Sequence, residues 1–179
     1  METHRQRHRY IHSFSEYPDV SFSTQRVNEK IILVLRSHPI TQVGWVINGI
    51  IMFTLLFLTD VVLPNFFAIN QIIFFNLIMI AFIISYIWFN FLHWFFNVGI
   101  VTNERVLDLD YSSVTYKEST EAKLNKIEDI TAKQVGYLGS FFNYGDVFVQ
   151  TAGTEANIEF MSVPEPSTIV KIIDGLVHR

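Results

Sequence analysis

Along the chain, the pattern of apolar and polar positions changes character three times. The first 26 residues are polar. Val27–Leu35 (VNEKIILVL) ends in a short apolar run, whose Ile-Ile-Leu-Val-Leu favours a strand over a short interfacial helix ahead of Pro39. Two almost wholly apolar segments follow, Val43–Leu63 and Ile72–Leu92, each of 21 residues. A helix of about 20 residues crosses a hydrocarbon layer of about 30 Å, and satisfies its own backbone while doing so. The pattern therefore predicts two transmembrane helices. The connection 64–71, with Pro64 and two asparagines, is too short for anything but a turn, so the helices should run antiparallel with both chain ends on one side.

From about Trp94 saturation gives way to alternation. Val98 and Ile100 lead into a turn at Thr102–Arg105, and Leu107, Leu109 and Tyr111 then alternate with Asp108 and Asp110, as in a strand with one wet face. Further strands are expected around Val114 and Tyr116, over Ile127–Val135, over Asp146–Thr151 and over Asn157–Val163, with a hairpin turn at Ala152–Glu155. The end differs in kind. Pro166 opens a helix in which Ile169, Ile172, Ile173 and Leu176 share one face. About 80 residues thus encode six or seven antiparallel strands and a helix able to cover the open end of a small barrel or roll.

Charge sharpens this division. The chain has 179 residues, 17 phenylalanines, no cysteine and a net charge of −4. Across the 67 residues from Ser37 to Asn103 the only Asp, Glu, Lys or Arg is Asp60, which belongs at the far interface near the turn because a carboxylate at the helix centre costs about 2.5–3.5 kcal/mol. A simple soluble domain is excluded, since each surface element of one needs a wet face. A disulfide-stapled fold is excluded by the missing thiols, and net acidity removes the usual reason to bind nucleic acid. Arg26, Lys30 and Arg36 flank the first span while the loop carries no Lys or Arg, so both termini should be cytoplasmic. Trp45 and Trp94 then share one interface. The first apolar run starts too late and is too long for a cleavable signal, and no small-x-small cleavage site follows it, so this span should act as an uncleaved anchor.

The expected division is a flexible basic tail (1–26), a juxtamembrane segment (27–42), a first span (43–63), an external loop (64–71), a second span (72–92) and a cytoplasmic domain (94–179). In the tail, His4, His8 and His12 are four apart. A helix would align them as a metal site, but no acidic or cysteine ligand accompanies them, and a solvated tail near an anionic surface is the plainer reading.

Several short motifs in the second half carry a resemblance. Ile100-Val101-Thr102-Asn103-Glu104-Arg105 directly after the second span, Ile127-Glu128-Asp129-Ile130, Phe142-Asn143-Tyr144-Gly145-Asp146-Val147 as a glycine turn, Val163-Pro164-x-Pro166 before the helix, and the leader Leu35-Arg36-Ser37-His38-Pro39 resemble, in order and spacing, the membrane-anchored bacterial pleckstrin-homology-like (PH-like) domains. The resemblance covers about residues 27–179. It implies two nearly orthogonal sheets with a capping helix, and no particular activity. The fold class expected is an α+β membrane protein, a two-helix transmembrane hairpin followed by a PH-like antiparallel β-barrel or roll capped by a C-terminal helix.

No catalytic or metal-binding constellation is evident, and no cofactor is expected: Gly-x-Ser-x-Gly, His-Glu-x-x-His and a phosphate-cradling glycine loop are all missing. A lipid-headgroup site is the natural guess for the fold, yet the first hairpin offers Arg105 alone, and residues 104–179 carry 12 acids against 7 bases, so capture of an anionic headgroup is disfavoured. Tyr137, Leu138, Phe141, Phe142 and Tyr144 form an aromatic, glycine-bearing loop. It is open to two readings, a surface that meets the membrane interface or a partner, or a plug in which Leu138 and Phe142 fill the core. Within the spans, Tyr86, Asn90, His93 and Asn97 make a polar stripe that Asn48 can meet across the hairpin. The function expected is non-enzymatic. The protein would sit in the cytoplasmic membrane, with the bilayer as one partner, and display a domain that recognises a protein, a peptide or a second copy of itself. The alternative is a small transport or channel subunit acting through the hairpin.

Overall fold

The computed structural model describes residues 13–18, 21–22, 24–111, 117–134, 136–152 and 157–178. It comprises two compact units. One is built from the chain up to Ile40 and again from Phe95 onward, the other from Thr41–Trp94. The expected three-histidine face and the strand at Val114 and Tyr116 lie outside the described residues, as do positions 153–156 of the expected hairpin turn.

The second unit is a helical hairpin. Helix α1 spans Val43–Val62 and helix α2 spans Ile69–Phe96. Helix α2 is longer than the predicted span at both ends, and at 28 residues it extends about 42 Å. Its early start has a local cause: Gln71 reaches back to accept the Ala68 amide at 3.1 Å, half of a capping box, so the connection is shorter than the predicted 64–71. Leu63–Asn65 forms a single 3-10 turn containing Pro64. The hydroxyls of Thr54 and Thr59 donate to the carbonyls of Ile50 and Leu56, leaving no side-chain donor of these residues unsatisfied on an apolar surface. A Cβ on Gly49 would stand 3.5 Å from the Ile87 side chain, so glycine lets the two helices pack closely there. Both helices are long and apolar enough to cross a membrane. Many of their side chains are exposed, Phe57 being 70% and Phe74 67% so.

The first unit holds two antiparallel sheets. Strands β1 (Phe14–Glu16), β2 (Ile31–Leu35), β3 (Val98–Thr102), β4 (Arg105–Tyr111) and β5 (Lys117–Lys123) form one sheet in that order. Strands β6 (Ile127–Lys133), β7 (Tyr144–Thr151) and β8 (Ile158–Pro164) form the other. A short helix α3 (Gly136–Phe142) links β6 to β7, and helix α4 (Pro166–Val177) closes the chain. No ladder joins β5 to β6, so the sheets do not close into a barrel.

The domain boundaries expected from sequence need correction. Leu35 on β2 pairs with Gly99 on β3, so the apolar hairpin is inserted between two adjacent, directly bonded strands. A unit beginning at residue 94 would leave out β1 and β2. The supposed tail is likewise shorter, because Phe14–Glu16 pairs with Leu33–Leu35.

The main core lies between the sheets and under α4. It gathers Leu33, Leu35, Val101 and Val106 from one sheet, Val147, Val149, Ile158 and Phe160 from the other, and Ile169 and Ile173 from α4. The β4 pattern has a different meaning from the one its alternation suggests. Val106 enters this core, whereas Leu107 and Leu109 face a second cluster with Ile31, Ile100, Val34, Val98 and Phe22 on the opposite side of the sheet. A bulge between Ile31 and Leu33 lets β2 serve both clusters.

Candidate functional site

The turn between β3 and β4 is densely hydrogen-bonded. Thr102 Oγ1 accepts the amides of Glu104 (3.2 Å) and Arg105 (3.0 Å), which sets the turn. Asn103 and Lys30 exchange bonds, Lys30 N donating to Asn103 Oδ1 at 2.6 Å and Asn103 N to the Lys30 carbonyl at 3.1 Å. Arg105 then grips Glu29 with two bonds, Nε to Oε1 at 2.9 Å and Nη2 to Oε2 at 3.1 Å. It also donates to the Thr24 carbonyl at 2.8 Å and to the Glu121 carboxylate. The Phe22 ring lies 5.9 Å from the guanidinium carbon.

Both members of this pair are buried. Burial by itself would push the Glu29 carboxyl up. The bonds from Arg105, the Arg26 amide and the Thr102 hydroxyl outweigh it and hold Glu29 at about 2. Arg105, held by the Glu29 carboxylate against the cost of burial, is shifted upward. The one cation that the sequence offered to a headgroup in this hairpin is therefore spent inside the fold, tying the chain before α1 to the chain after α2.

The aromatic segment 137–144 takes a form that its glycine and four aromatics hid. It is a helix of about two turns, α3, which opens on Gly136 at φ +67° and is followed by Asn143 at φ +52°. Gly139 is buried on the inner side, where a Cβ would come within 3.0 Å of the Tyr144 carbonyl. The other side is bare: Tyr137 is 97%, Phe141 81% and Leu138 62% exposed, and Phe142 is exposed as well. Leu138 and Phe142 do not fill the core, which the isoleucines of α4 and Phe160 occupy instead. Tyr144, at the start of β7, stacks on His38 with ring centroids 5.5 Å apart. His38 N donates to the Ser162 carbonyl at 2.7 Å and Ser37 Oγ to the Met161 carbonyl at 3.1 Å, so residues 37 and 38 line part of the edge of β8.

Among the described residues, β5 pairs only with β4 and β6 only with β7, which leaves one edge of each seven-residue strand without a ladder. β5 escaped the sequence reading because, of its residues Ser119–Lys123, only Ala122 enters the core. At the end of the sheets where β2 finishes and β3 begins, a crevice of about 90 Å³ is lined by Arg36, Gly99, Asp108, Asp110, Glu159 and Phe160. Asp108 and Asp110 thus face this crevice.

In the helical hairpin, the structure brings Asn48 to Tyr86, the amide donating to the phenol at 3.4 Å. Asn90 Nδ2 turns back to the Tyr86 carbonyl at 2.8 Å, and His93 lies further along α2, exposed. The sequence reading missed a stronger contact: Asn76 Nδ2 donates to Asp60 Oδ1 at 2.7 Å. Asn76 was the available signal, being a polar side chain in the one segment without charge. Among the described residues no group of three or more His, Asp or Glu side chains converges to hold a metal ion.

Comparison with known proteins bears on this arrangement. Nothing among the curated proteins matches the chain. A crystal structure of a DUF1696 family protein with a pleckstrin-homology domain, from Shewanella loihica PV-4, is similar at 14% identity and a TM-score of 0.37, covering 45% of this chain and 70% of that one. The family description "Bacterial PH domain" matches residues 44–177, a range that takes in both apolar helices, the Thr102–Arg105 turn, both open edges and α4. Reaching across three quarters of the sequence, that match places the chain in the bacterial PH domain family.

Proposed function

We propose that this protein is a two-span, non-enzymatic component of the cytoplasmic membrane that displays its PH-like domain to the cytosol as a recognition or assembly module. The membrane part rests on the apolar outer faces of α1 and α2, which water would leave unpartnered and lipid would solvate. The positive flanks Arg26, Lys30 and Arg36 support a cytosolic domain.

The observation that carries the recognition reading is the open edge of β6. It presents main-chain donors and acceptors to an added strand, and Glu128, Asp129 and Thr131 on it are exposed. Strand addition draws affinity from such bonds and needs no catalytic group. The acidic balance of the domain favours a basic or neutral segment over an anionic headgroup. The transport reading has in the hairpin a single carboxylate, Asp60, already bonded to Asn76.

The chain has no cysteine, so one experiment tests both edge and orientation. A membrane-permeant maleimide carrying a photoreactive group is attached in cells to Thr131→Cys on β6 or, as control, to Ser167→Cys on α4. A discrete adduct from position 131 alone, untouched by prior treatment with an impermeant maleimide, is expected. Equal adducts from both positions would refute the edge. Loss of the adduct after impermeant treatment would reverse the orientation.

A further inference from the structure

We infer that α3 is an interfacial foot, a short aromatic helix that rests in the headgroup layer of the bilayer crossed by α1 and α2. The inference builds on the membrane reading above and adds a surface to it. Residues 134–145 (QVGYLGSFFNYG) contain no charged side chain, although the domain around them is strongly acidic. An uncharged patch meets an anionic leaflet without the repulsion that the rest of the domain would feel. Its exposed members are two phenylalanines, a leucine and a tyrosine, and tyrosine suits a layer that is apolar on one side and wet on the other.

Position in the fold supplies the second line of argument. Both crossings leave the domain from one end of its larger sheet, where Leu35 pairs with Gly99. Residues 37 and 38, just beyond Leu35, bond to Met161 and Ser162 of β8, and His38 stacks on Tyr144, the second residue after α3. The backbone closes the same corner, Glu165 N donating to the Asn143 carbonyl at 2.9 Å. The foot therefore stands at the end of the domain from which the chain departs. Only the four residues Pro39–Gln42 separate His38 from the start of α1. A water-facing function would not need side chains as exposed as Tyr137 and Phe141 at that end. Lipid is the occupant that the charge pattern and the short tether both select.

The test uses the full chain in vesicles of phosphatidylethanolamine and phosphatidylglycerol. A nitroxide is placed on Phe141→Cys, with Ile50→Cys as a lipid reference and Ser167→Cys as a water reference, all three at exposed positions. Collision with oxygen relative to a water-soluble nickel chelate is expected to be several-fold higher at 141 than at 167, approaching the value at 50. A ratio at 141 equal to that at 167 would overturn the foot. So would a dipolar coupling between labels on two chains that persists on dilution in lipid, since a second copy would then be the occupant. Alkaline extraction of the vesicles separates the two levels. Release of the protein would sink the membrane reading itself, whereas retention with a watery position 141 would sink only the foot.

Discussion

Glu29 shows how much one side chain can decide. It lies in a polar stretch with no periodicity to mark it, yet it is buried and receives Arg105 through two bonds. Breaking a buried pair from one side costs about 3–5 kcal/mol because the remaining charge stays desolvated. Glu29→Gln is therefore expected to lower the stability of the sheet domain by about that amount, read by pulse proteolysis of the full chain in micelles across a urea series. A loss no larger than that of an exposed control such as Glu128→Gln would show the pair to be incidental. The pH dependence has a definite sign. Glu29 sits at about 2 in the folded protein, below its ordinary 4.5, so its stabilising effect is complete above about 4.5 and is lost as pH falls from there towards 2. In Glu29→Gln that part of the acid response should vanish. The sequence offered Arg105 as a surface cation, and only the return of the chain to Thr24 and Glu29 shows it to be internal.

At the level of elements, apolar content governed what could be read. The two helices, β7, β8 and α4 announce themselves through saturation or period, and each lies within a few residues of its expected place. β5 and α3 do not. The first is an edge strand whose described side chains send only Ala122 into the core, and the second is a short helix whose one buried residue, Gly139, lies against the Tyr144 carbonyl. Gly145 makes this testable. It stands at a bulge of β7, where a Cβ would fall 2.4 Å from the Lys133 carbonyl oxygen, a backbone atom that cannot swing aside. Gly145→Ala is expected to cost about 3 kcal/mol. Gly136→Ala meets no atom within 4 Å and should cost only the left-handed backbone term, about 1–2 kcal/mol. The same proteolysis assay ranks them, and equal losses would remove the close approach of β6 and β7 as the reason for glycine at 145.

For the molecule as a whole, the consequential feature is an insertion. The apolar hairpin interrupts a pair of adjacent strands, so the domain is completed only when the chain before α1 meets the chain after α2. Leu33 and Leu35 are fully buried, and losing them would forfeit about 3–6 kcal/mol of burial. With the ion pair gone as well, the deficit is comparable to the 5–15 kcal/mol total of a typical domain, about 10 kcal/mol. Residues 95–179 alone are thus expected to stay unfolded. A chain in which a short glycine-serine linker replaces residues 41–94 should fold in water with slow amide exchange at Val101, Val147 and Val149. Protected amides in the 95–179 fragment would contradict the insertion as the basis of the fold.

The sequence alone was enough to establish the partition between an uncharged middle and a charged remainder, because solvent preference accumulates residue by residue and needs no knowledge of contacts. It was enough, too, for those strands and helices whose own period reveals a buried face. Which segments meet lay beyond it. That β2 pairs with β3 across 62 intervening residues, that Glu29 answers Arg105, and that α3 turns its aromatics outward are outcomes of long-range pairing, in which the partner's position supplies the energy and the local pattern holds no record of it.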